Sequence, residues 1–202
     1  MDSETMDAYN KRAASYAREW LEQDVPCDMY ELLERYFTPG LTADIGCGAG
    51  RDTAWLFEKG FQAIGIDASQ GLLDEARAAY PGLAFQQGSL PELDGLKRGI
   101  YQNVLCETVI MHLEPARISD TIASLIDLLR PGGTLYVSWR VTEHESLRDK
   151  AGRLYSSFDR QLVILPATER CDVIFDEDVV SASSGKRIQR LIFRKKTPLV
   201  PT

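Results

Sequence analysis

The sequence predicts an α/β fold: a doubly wound, seven-stranded, mostly parallel sheet with an antiparallel C-terminal hairpin and helices on both faces. Short apolar segments alternate five times with segments of helical periodicity, the pattern of parallel strands joined by right-handed crossover helices. Two further apolar segments follow at residues 172–180 and 188–195. The turn-rich stretch 181–185 between them indicates a hairpin. Functional residues of such a sheet are expected beyond the carboxyl ends of its strands.

The composition is that of a single globular domain. The chain has 202 residues, of which 44% are hydrophobic and 26% charged, and this length suits one core. It has no apolar run long enough to span a membrane and no secretory signal, so we expect a cytoplasmic protein with free cysteines. The net charge of −7 disfavours a nucleic-acid partner. Two histidines without a His/Cys cluster predict no metal site.

Hydrophobic periodicity assigns the N-terminal half. The first apolar stripe predicts an amphipathic helix and consists of Tyr9, Ala13, Tyr16, Ala17 and Trp20. Further helices are predicted over residues 28–37, 51–59 and 69–79. Ser69 is a suitable N-cap for the last of these. Strands are predicted over residues 41–45 and 61–66, and a third begins at residues 83–85.

The C-terminal half begins with a loop over residues 86–99, which glycines and a proline punctuate. A strand is predicted over residues 100–106. A helix then starts near Pro115 and is ended by residues 130–133. Its apolar stripe consists of Ile118, Ile122, Leu125, Ile126 and Leu129. The fifth strand covers residues 135–139. Residues 141–160 have no clear pattern, and residues 162–165 fit a short helix or a buried strand.

The most informative motif is the run from Asp44 to Gly50, D-I-G-C-G-A-G, at a predicted strand-to-helix turn. Glycines there let the backbone approach a small ligand closely. The dinucleotide fingerprint G-x-G-x-x-G would place its third glycine at position 51, which is Arg51. This spacing disfavours an NAD-dependent oxidoreductase. Asp44 could orient the loop through backbone N–H groups or face an ammonium group of the ligand.

Asp67 follows the second predicted strand, 17 residues after Gly50. A carboxylate at that place can accept hydrogen bonds from both hydroxyls of a ribose. The position is shared with NAD enzymes, so it points to an adenosine without naming the cofactor. The alternative is an acidic residue that stabilises a helix N-terminus through the dipole.

The pattern D-x-G-x-G-x-G resembles the first motif of class I methyltransferases that use S-adenosylmethionine (SAM), in particular small bacterial members. Residues 128–135 resemble the segment before their fifth strand, and the C-terminal hairpin resembles their last two strands. Residues 9–17 resemble an N-terminal helix that closes over SAM. The resemblance covers residues 5–196. It implies one domain over residues 1–202, with lid helices (1–38), a SAM-binding core (41–140), and a substrate-side loop and hairpin (141–196).

The resemblance also implies the site. Cys106 and Glu107 end the fourth strand, where methyl donor and acceptor meet, and Ser89 stands where many relatives carry an acid for the adenine. Residues 106–109 do not match the Asn- or Asp-Pro-Pro-Tyr motif of amino-methylating members. The predicted cofactor-binding residues are Tyr9, Tyr16, Asp44, Gly46, Cys47, Gly48, Gly50, Arg51, Asp67, Ala68, Leu72, Gly88, Ser89, Leu90, Cys106 and Glu107.

Methyl transfer from a sulfonium needs a base only if the acceptor must lose a proton. The candidates for that base are Glu107, His112 and His144. The two histidines also have a plainer interpretation: His112 suits a structural histidine, and His144 suits a solvated loop. Cys106 fits a small core residue better than a nucleophile. Tyr9 and Tyr16 suit core packing and cofactor coverage equally.

The sequence therefore predicts a SAM-dependent methyltransferase that acts on a small-molecule acceptor by in-line transfer and releases S-adenosylhomocysteine. Two alternatives share the same binding residues. One is a SAM-binding sensor or partner protein without catalysis, and the other is a protein or RNA methyltransferase. The acceptor atom and the oligomeric state are left open by the sequence.

Overall fold

The computed structural model describes residues 1–198 and contains nine strands. They are β1 Leu41–Ile45, β2 Gln62–Asp67, β3 Ala84–Gln87, β4 Tyr101–Cys106, β5 Leu129–Arg140, β6 Leu147–Arg148, β7 Leu154–Tyr155, β8 Cys171–Val180 and β9 Arg187–Lys195. Seven of them form one sheet in the order β3-β2-β1-β4-β5-β9-β8, and β6 and β7 form a separate hairpin. The first five strands of the large sheet are parallel, while β9 runs antiparallel to β5 and β8. The predicted fold class is confirmed.

Seven α-helices surround the sheet in the described part of the chain. They are α1 Ser3–Lys11, α2 Ala13–Glu22, α3 Cys27–Tyr36, α4 Arg51–Glu58, α5 Gln70–Ala79, α6 Ile118–Leu128 and α7 Gln161–Thr168. Short 3-10 turns at Ile110–His112 and Pro115–Arg117 lead into α6. Ser69 caps α5 as predicted, because its side chain accepts from the Leu72 N–H.

Alternating side chains of the central strands build one core on each face of the sheet. On β5, Leu135 and Val137 point to the face that α6 and α7 cover. Tyr136, between them, points to the opposite face and packs with residues of α3 and α4. Because both faces are covered, the central strands are buried along nearly their whole length.

The N-terminal stripe forms two helices instead of the single helix predicted. The backbone breaks at Arg12, whose φ of −124° lies outside the helical range. In an unbroken helix, Tyr9 and Tyr16 would be two turns, or roughly 10 Å, apart along the axis. The break brings their ring centroids to 5.3 Å. Tertiary packing of the two rings therefore decides the conformation here.

The segment between α6 and the predicted fifth strand also differs from the prediction. Leu129, assigned to the helix by its periodicity, starts β5 and pairs with Tyr101. The next paired positions are Thr134 and Asn103, so residues 130–133 form a bulge within the strand. The helix ends at Leu128, before the predicted stop at residues 130–133, and those residues lie within β5.

The two segments left open by the sequence have regular structure. Residues 141–160 contain the short β6–β7 hairpin, and residues 162–165 lie in α7. Pro166 stands inside α7 and has no N–H to donate to the carbonyl of Leu162. The Ser119 hydroxyl donates to that carbonyl at 3.1 Å instead. A contact from α6 thus compensates for the proline.

The basic residues near the C-terminus lie on β9, an interior strand of the large sheet. Arg190 is 2% exposed and forms ion pairs with Asp28 and Glu177. Lys195 donates to the carbonyls of Ile126 and Leu129. These cations therefore hold the fold together. None of the helices within residues 1–198 has the length and apolar character needed to cross a bilayer.

Leu125→Ala should lower the free energy of unfolding by about 2–5 kcal/mol, because the side chain is fully buried on the inner face of α6 and its removal leaves a cavity. Urea denaturation would measure the change. The matched control is Leu165→Ala on α7, where the side chain is 64% exposed and the expected cost is about 0.5 kcal/mol or less. Equal losses in the two variants would contradict the described packing.

Candidate functional site

One cavity of about 460 Å³ lies at the carboxyl ends of β1, β2, β4 and β5. Its size is within the range of about 300–1,000 Å³ that is typical of small-molecule sites. Of the predicted site residues, it is lined by Tyr9, Gly46, Cys47, Gly48, Arg51, Asp67, Ala68, Leu72, Gly88, Leu90, Glu107 and His112. The fold therefore brings together residues from five separate parts of the sequence.

The glycine loop forms the floor of the cavity. The N–H groups of Gly46 and Cys47 donate to the Ile66 carbonyl at 2.7 and 3.0 Å, so the loop lies across the end of β2. Gly46 and Gly48 have φ angles of 78° and 55°, which favour glycine. A Cβ on Gly48 would stand 2.7 Å from the Trp20 ring. The loop thus offers bare backbone to whatever lies above it.

Asp67 ends β2 at the side of the loop. Its carboxylate accepts from the N–H of Gly48 at 2.9 Å and from the N–H of Ser69 at 2.8 Å. Burial raises the pKa of Asp67, while these N–H donors oppose the rise. Since a carboxylate offers about four lone pairs, two N–H donors leave acceptor capacity toward the cavity.

The N-terminal helices cover the loop with aromatic rings. The Tyr16 and Trp20 rings stack with centroids 5.8 Å apart, and the Tyr9 ring packs against both. The Arg153 guanidinium lies 4.7 Å from the centroid of Tyr16. Asn10 accepts a hydrogen bond from the Ser69 hydroxyl at 2.7 Å, which fixes α1 to the start of α5. These helices form the roof of the cavity.

His112 lies at the junction of roof and sheet and is 4% exposed. Its Nδ1 is 2.5 Å from the Leu154 carbonyl, which can only accept, so this nitrogen carries the hydrogen. Nε2 is therefore the acceptor, and the Tyr9 hydroxyl donates to it at 2.9 Å. Burial lowers the pKa of His112 to about 4, and the ring is neutral at pH 7.

Glu107 follows β4 at the opposite wall. The Ser138 hydroxyl donates to its carboxylate and accepts from the N–H of Thr108 at 2.9 Å. Burial raises the pKa of Glu107. Arg51 opens α4 beside it and pairs with Asp52 at 2.8 Å. The side chains of Glu107 and Arg51 both line the cavity as predicted, and each is hydrogen-bonded or ion-paired to a neighbouring side chain.

Three of the predicted residues lie behind the cavity wall. Asp44 is buried and accepts from the Thr53 hydroxyl at 2.6 Å, so it holds α4 against β1 and does not line the cavity. Gly50 has Phe85 where its Cβ would stand, at 2.8 Å, and serves the turn. Cys106 points into the core under α6, because alternate strand residues face opposite sides.

Three more stand outside the cavity lining. Tyr16 belongs to the aromatic roof, but its hydroxyl is buried with no partner among the residues described. Ser89 borders a smaller adjoining depression, with Ala68 and Gly88 shared between the two. His144 is exposed on the loop after β5 and is not a lining residue, so the geometry does not support it as a base.

Several lining residues escaped the sequence analysis. The main ones are Trp20, Thr108, Val109, Met111, Arg140, Arg153 and Tyr155. Arg140 directly follows the predicted fifth strand, so the rule about carboxyl strand ends could have found it. Arg153 and Tyr155 lie in the stretch without a pattern, where no sequence signal marks them.

Comparison with known proteins shows what part of the chain is similar to them. Residues 43–133 match the family model described as a methyltransferase domain. Trans-aconitate 2-methyltransferase of Deinococcus radiodurans is 37% identical over 97 residues, which are 46% of this chain and 35% of that protein. Ubiquinone biosynthesis O-methyltransferase of Methylococcus capsulatus is 34% identical over 100 residues, or 47% of this chain and 41% of that protein. The chain thus spans less than half the length of these two relatives.

Among solved structures, the 1,6-didemethyltoxoflavin-N1-methyltransferase of Burkholderia thailandensis, which has bound S-adenosylhomocysteine, superimposes with a TM-score of 0.76. The alignment covers 96% of this chain and 88% of that one at 19% identity, and it establishes a shared fold. The matched residues 43–133 are slightly less than half of the chain and are similar to a methyltransferase domain, and the strand order and the glycine loop after β1 agree with that similarity.

Proposed function

We propose that this protein transfers a methyl group from SAM to a small-molecule acceptor, with S-adenosylhomocysteine as the other product. The observation that carries the proposal is the convergence of the Gly46–Gly48 backbone and the Asp67 carboxylate on one cavity. Glu107 and His112 line the wall of the same cavity, at the end of β4. Donor and acceptor would therefore meet between the carboxyl ends of β1, β2 and β4.

The residues present suit the cofactor. A SAM molecule carries a ribose, and the free lone pairs of Asp67 can accept hydrogen bonds from its hydroxyls. Its amino-acid end can lie close to the backbone of the loop at Gly48, which has no Cβ. Leu72 and Leu90 supply apolar surface on the side of β3, where the adenine would lie. Arg51 is committed to Asp52, so any contact that it makes with a cofactor carboxylate is shared.

When bound, SAM supplies a methyl group that a sulfonium makes electrophilic. The chain then has to hold the acceptor in line with that group and keep water out. The aromatic roof of Tyr9, Tyr16 and Trp20 serves the second task, because its rings cover the loop. His112 holds the roof through Tyr9, and a neutral imidazole costs less to bury than a charged one.

A small acceptor is favoured over a nucleic acid. The basic residues on β9 are bound to carboxylates and carbonyls of the chain itself, so they offer no phosphate-binding surface. The net charge is −7. The two curated relatives are named for trans-aconitate and for ubiquinone biosynthesis, and both names refer to small molecules.

Incubation with tritiated SAM and a panel of small acids, amines, phenols and thiols tests the activity. Production of S-adenosylhomocysteine that depends on one of these acceptors supports the proposal. Tight SAM binding without any transfer would favour the sensor reading, and transfer only to proteins or RNA of a cell lysate would favour the macromolecular one.

Asp67→Ala should weaken SAM binding by roughly 1.5–3 kcal/mol, because charge-assisted hydrogen bonds to the ribose are lost. Titration calorimetry measures the change, and thermal unfolding checks that the variant folds. Asp74→Ala is the matched control, since Asp74 is an exposed aspartate on α5 outside the cavity. An unchanged affinity in Asp67→Ala would refute the assignment of the ribose site.

The low pKa of His112 predicts a pH-dependent stability. Its folded-state pKa of about 4 lies below the unfolded value of about 6.5, so the unfolded chain binds the extra proton in that window. The contribution of His112 to the free energy of unfolding should fall as the pH decreases from about 6.5 to about 4, by up to about 1.4 kcal/mol per unit.

Urea denaturation of the wild type and of His112→Gln at several pH values isolates this contribution. The raised pKa values of Asp67 and Glu107 act in the opposite direction, but they are common to both proteins. The variant should show a smaller loss between pH 6.5 and 5. His144→Gln, at an exposed loop position, should follow the wild type, and identical curves for all three would contradict a buried neutral His112.

A further inference from the structure

The cavity has opposite electrical character at its two ends. On the side of β1 and β2, its wall carries the carboxylate of Asp67, beside the Asp52 carboxylate that is paired with Arg51. On the side of β5 and the β8–β9 turn, it carries the cations of Arg140 and Lys186. A cationic sulfonium suits the first end. The second end lies beyond it, where an acceptor would enter, and it suits an anion.

Arg140 is the one of these cations that the fold holds in place. It is the last residue of β5 and is half-buried, and its guanidinium lies 5.0 Å from the centroid of the Tyr155 ring. A guanidinium that is held over an aromatic ring can still offer its N–H donors to a planar anion. In the part of the chain that the structure describes, Arg140 has no side-chain hydrogen bond or ion pair.

The other two arginines of the cavity are already neutralised. Arg51 pairs with Asp52 at 2.8 Å, and Arg153 pairs with Asp149 at 2.7 Å. Lys186 is exposed at the rim of the cavity and can add charge without defining a geometry. Among the arginines that line the cavity, Arg140 is therefore the one whose guanidinium can donate two hydrogen bonds to a bound anion.

The hydrogen bonds at the cavity wall bear on which acceptor can react. The Nε2 lone pair of His112 is filled by the Tyr9 hydroxyl, and Nδ1 donates to the Leu154 carbonyl. The Glu107 carboxylate already accepts from the Ser138 hydroxyl. His112 therefore has no free lone pair with which to remove a proton from an acceptor. An acceptor that is already deprotonated at neutral pH avoids this need.

We propose that the methyl acceptor is a small carboxylic acid, that Arg140 on its Tyr155 platform binds the acceptor's carboxylate, and that the product is a methyl ester. This inference rests on the proposed methyltransferase function. One carboxylate oxygen is held by the guanidinium edge, and the other attacks the methyl carbon. The new oxygen–carbon bond forms as the carbon–sulfur bond breaks, and the electron pair stays on the sulfur. No proton is taken up or released, so no base takes part.

The test uses the 202-residue chain with tritiated SAM and a panel of mono-, di- and tricarboxylic acids, each matched with its primary amide. Amines, phenols and thiols run beside them. Methyl esters release volatile methanol in alkali, whereas N-, S- and ether-methyl groups do not, so alkali-labile tritium reports the acceptor atom. Calorimetry with S-adenosylhomocysteine reports cofactor affinity separately.

We expect transfer to at least one acid, none to its amide, and an alkali-labile product. Arg140→Gln should raise the KM for the acid at least tenfold and leave the affinity for S-adenosylhomocysteine within threefold. Arg140→Lys, which keeps the charge but not the planar fork, should fall between the two. Arg130→Gln is the matched control, because Arg130 is exposed at the other end of β5. It should behave as the wild type.

Four results would overturn the inference: an alkali-stable product from an amine, phenol or thiol; no acid accepted by a protein that binds SAM; an unchanged KM in Arg140→Gln; or a loss of S-adenosylhomocysteine affinity as large as the rise in KM. The last result would mean that Arg140 holds the carboxylate of the cofactor. Failure of the wild type to bind SAM would instead refute the proposed function itself. If Arg140→Gln unfolds at a lower temperature than the wild type, the KM of Arg140→Lys decides the question.

Discussion

The site depends on the parallel pairing of β1 with β2. Their register places Ile45 opposite Ile66, so both strands end at the same level. The Ile66 carbonyl can then accept from the N–H groups of Gly46 and Cys47, and Asp67, one residue later, accepts from Gly48. A shift of one residue would separate the loop from the carboxylate and turn each side chain to the other face of the sheet.

The roof is held to this framework by polar contacts from several elements. Tyr9 donates to His112, and Asn10 accepts from Ser69. The β6–β7 hairpin is held from both sides, because the Leu154 N–H donates to the Thr5 hydroxyl and its carbonyl accepts from His112. Since His112 bonds to both α1 and the hairpin, its neutral tautomer joins the roof to the wall of the cavity.

Charge is distributed unevenly for a protein of net charge −7. Most cations near the site are paired within the fold, as Arg51, Arg153 and Arg190 are. Pairing of this kind fixes geometry at little net electrostatic gain, because desolvation offsets much of the attraction. An arginine at the cavity without such a partner, as at Arg140, therefore stands out as a group available to a ligand.

The sequence alone determined the order of the elements and the core of the site. Periodicity and glycine spacing are local signals, so they located β1, β2, α6 and the hairpin, and the motif from Asp44 to Gly50 together with Asp67 indicated the adenosyl cofactor. Twelve of the predicted site residues line the cavity. Local signals could not say which side of a strand or loop a residue would face, and this is why Asp44 and Cys106 lie behind the wall.

Only the tertiary structure showed which residues form the roof of the cavity and which form the end of the cavity at Arg140. The break at Arg12 follows from the packing of Tyr9 on Tyr16. The two tyrosines have the spacing of a continuous helix, so the sequence contains no signal for a break between them. Tyr155 lies in a segment without periodicity, and it meets Arg140 only because the short hairpin folds back over the end of β5. Contacts between residues that are distant in the chain depend on the whole fold, so periodicity and motif spacing within the sequence cannot predict them.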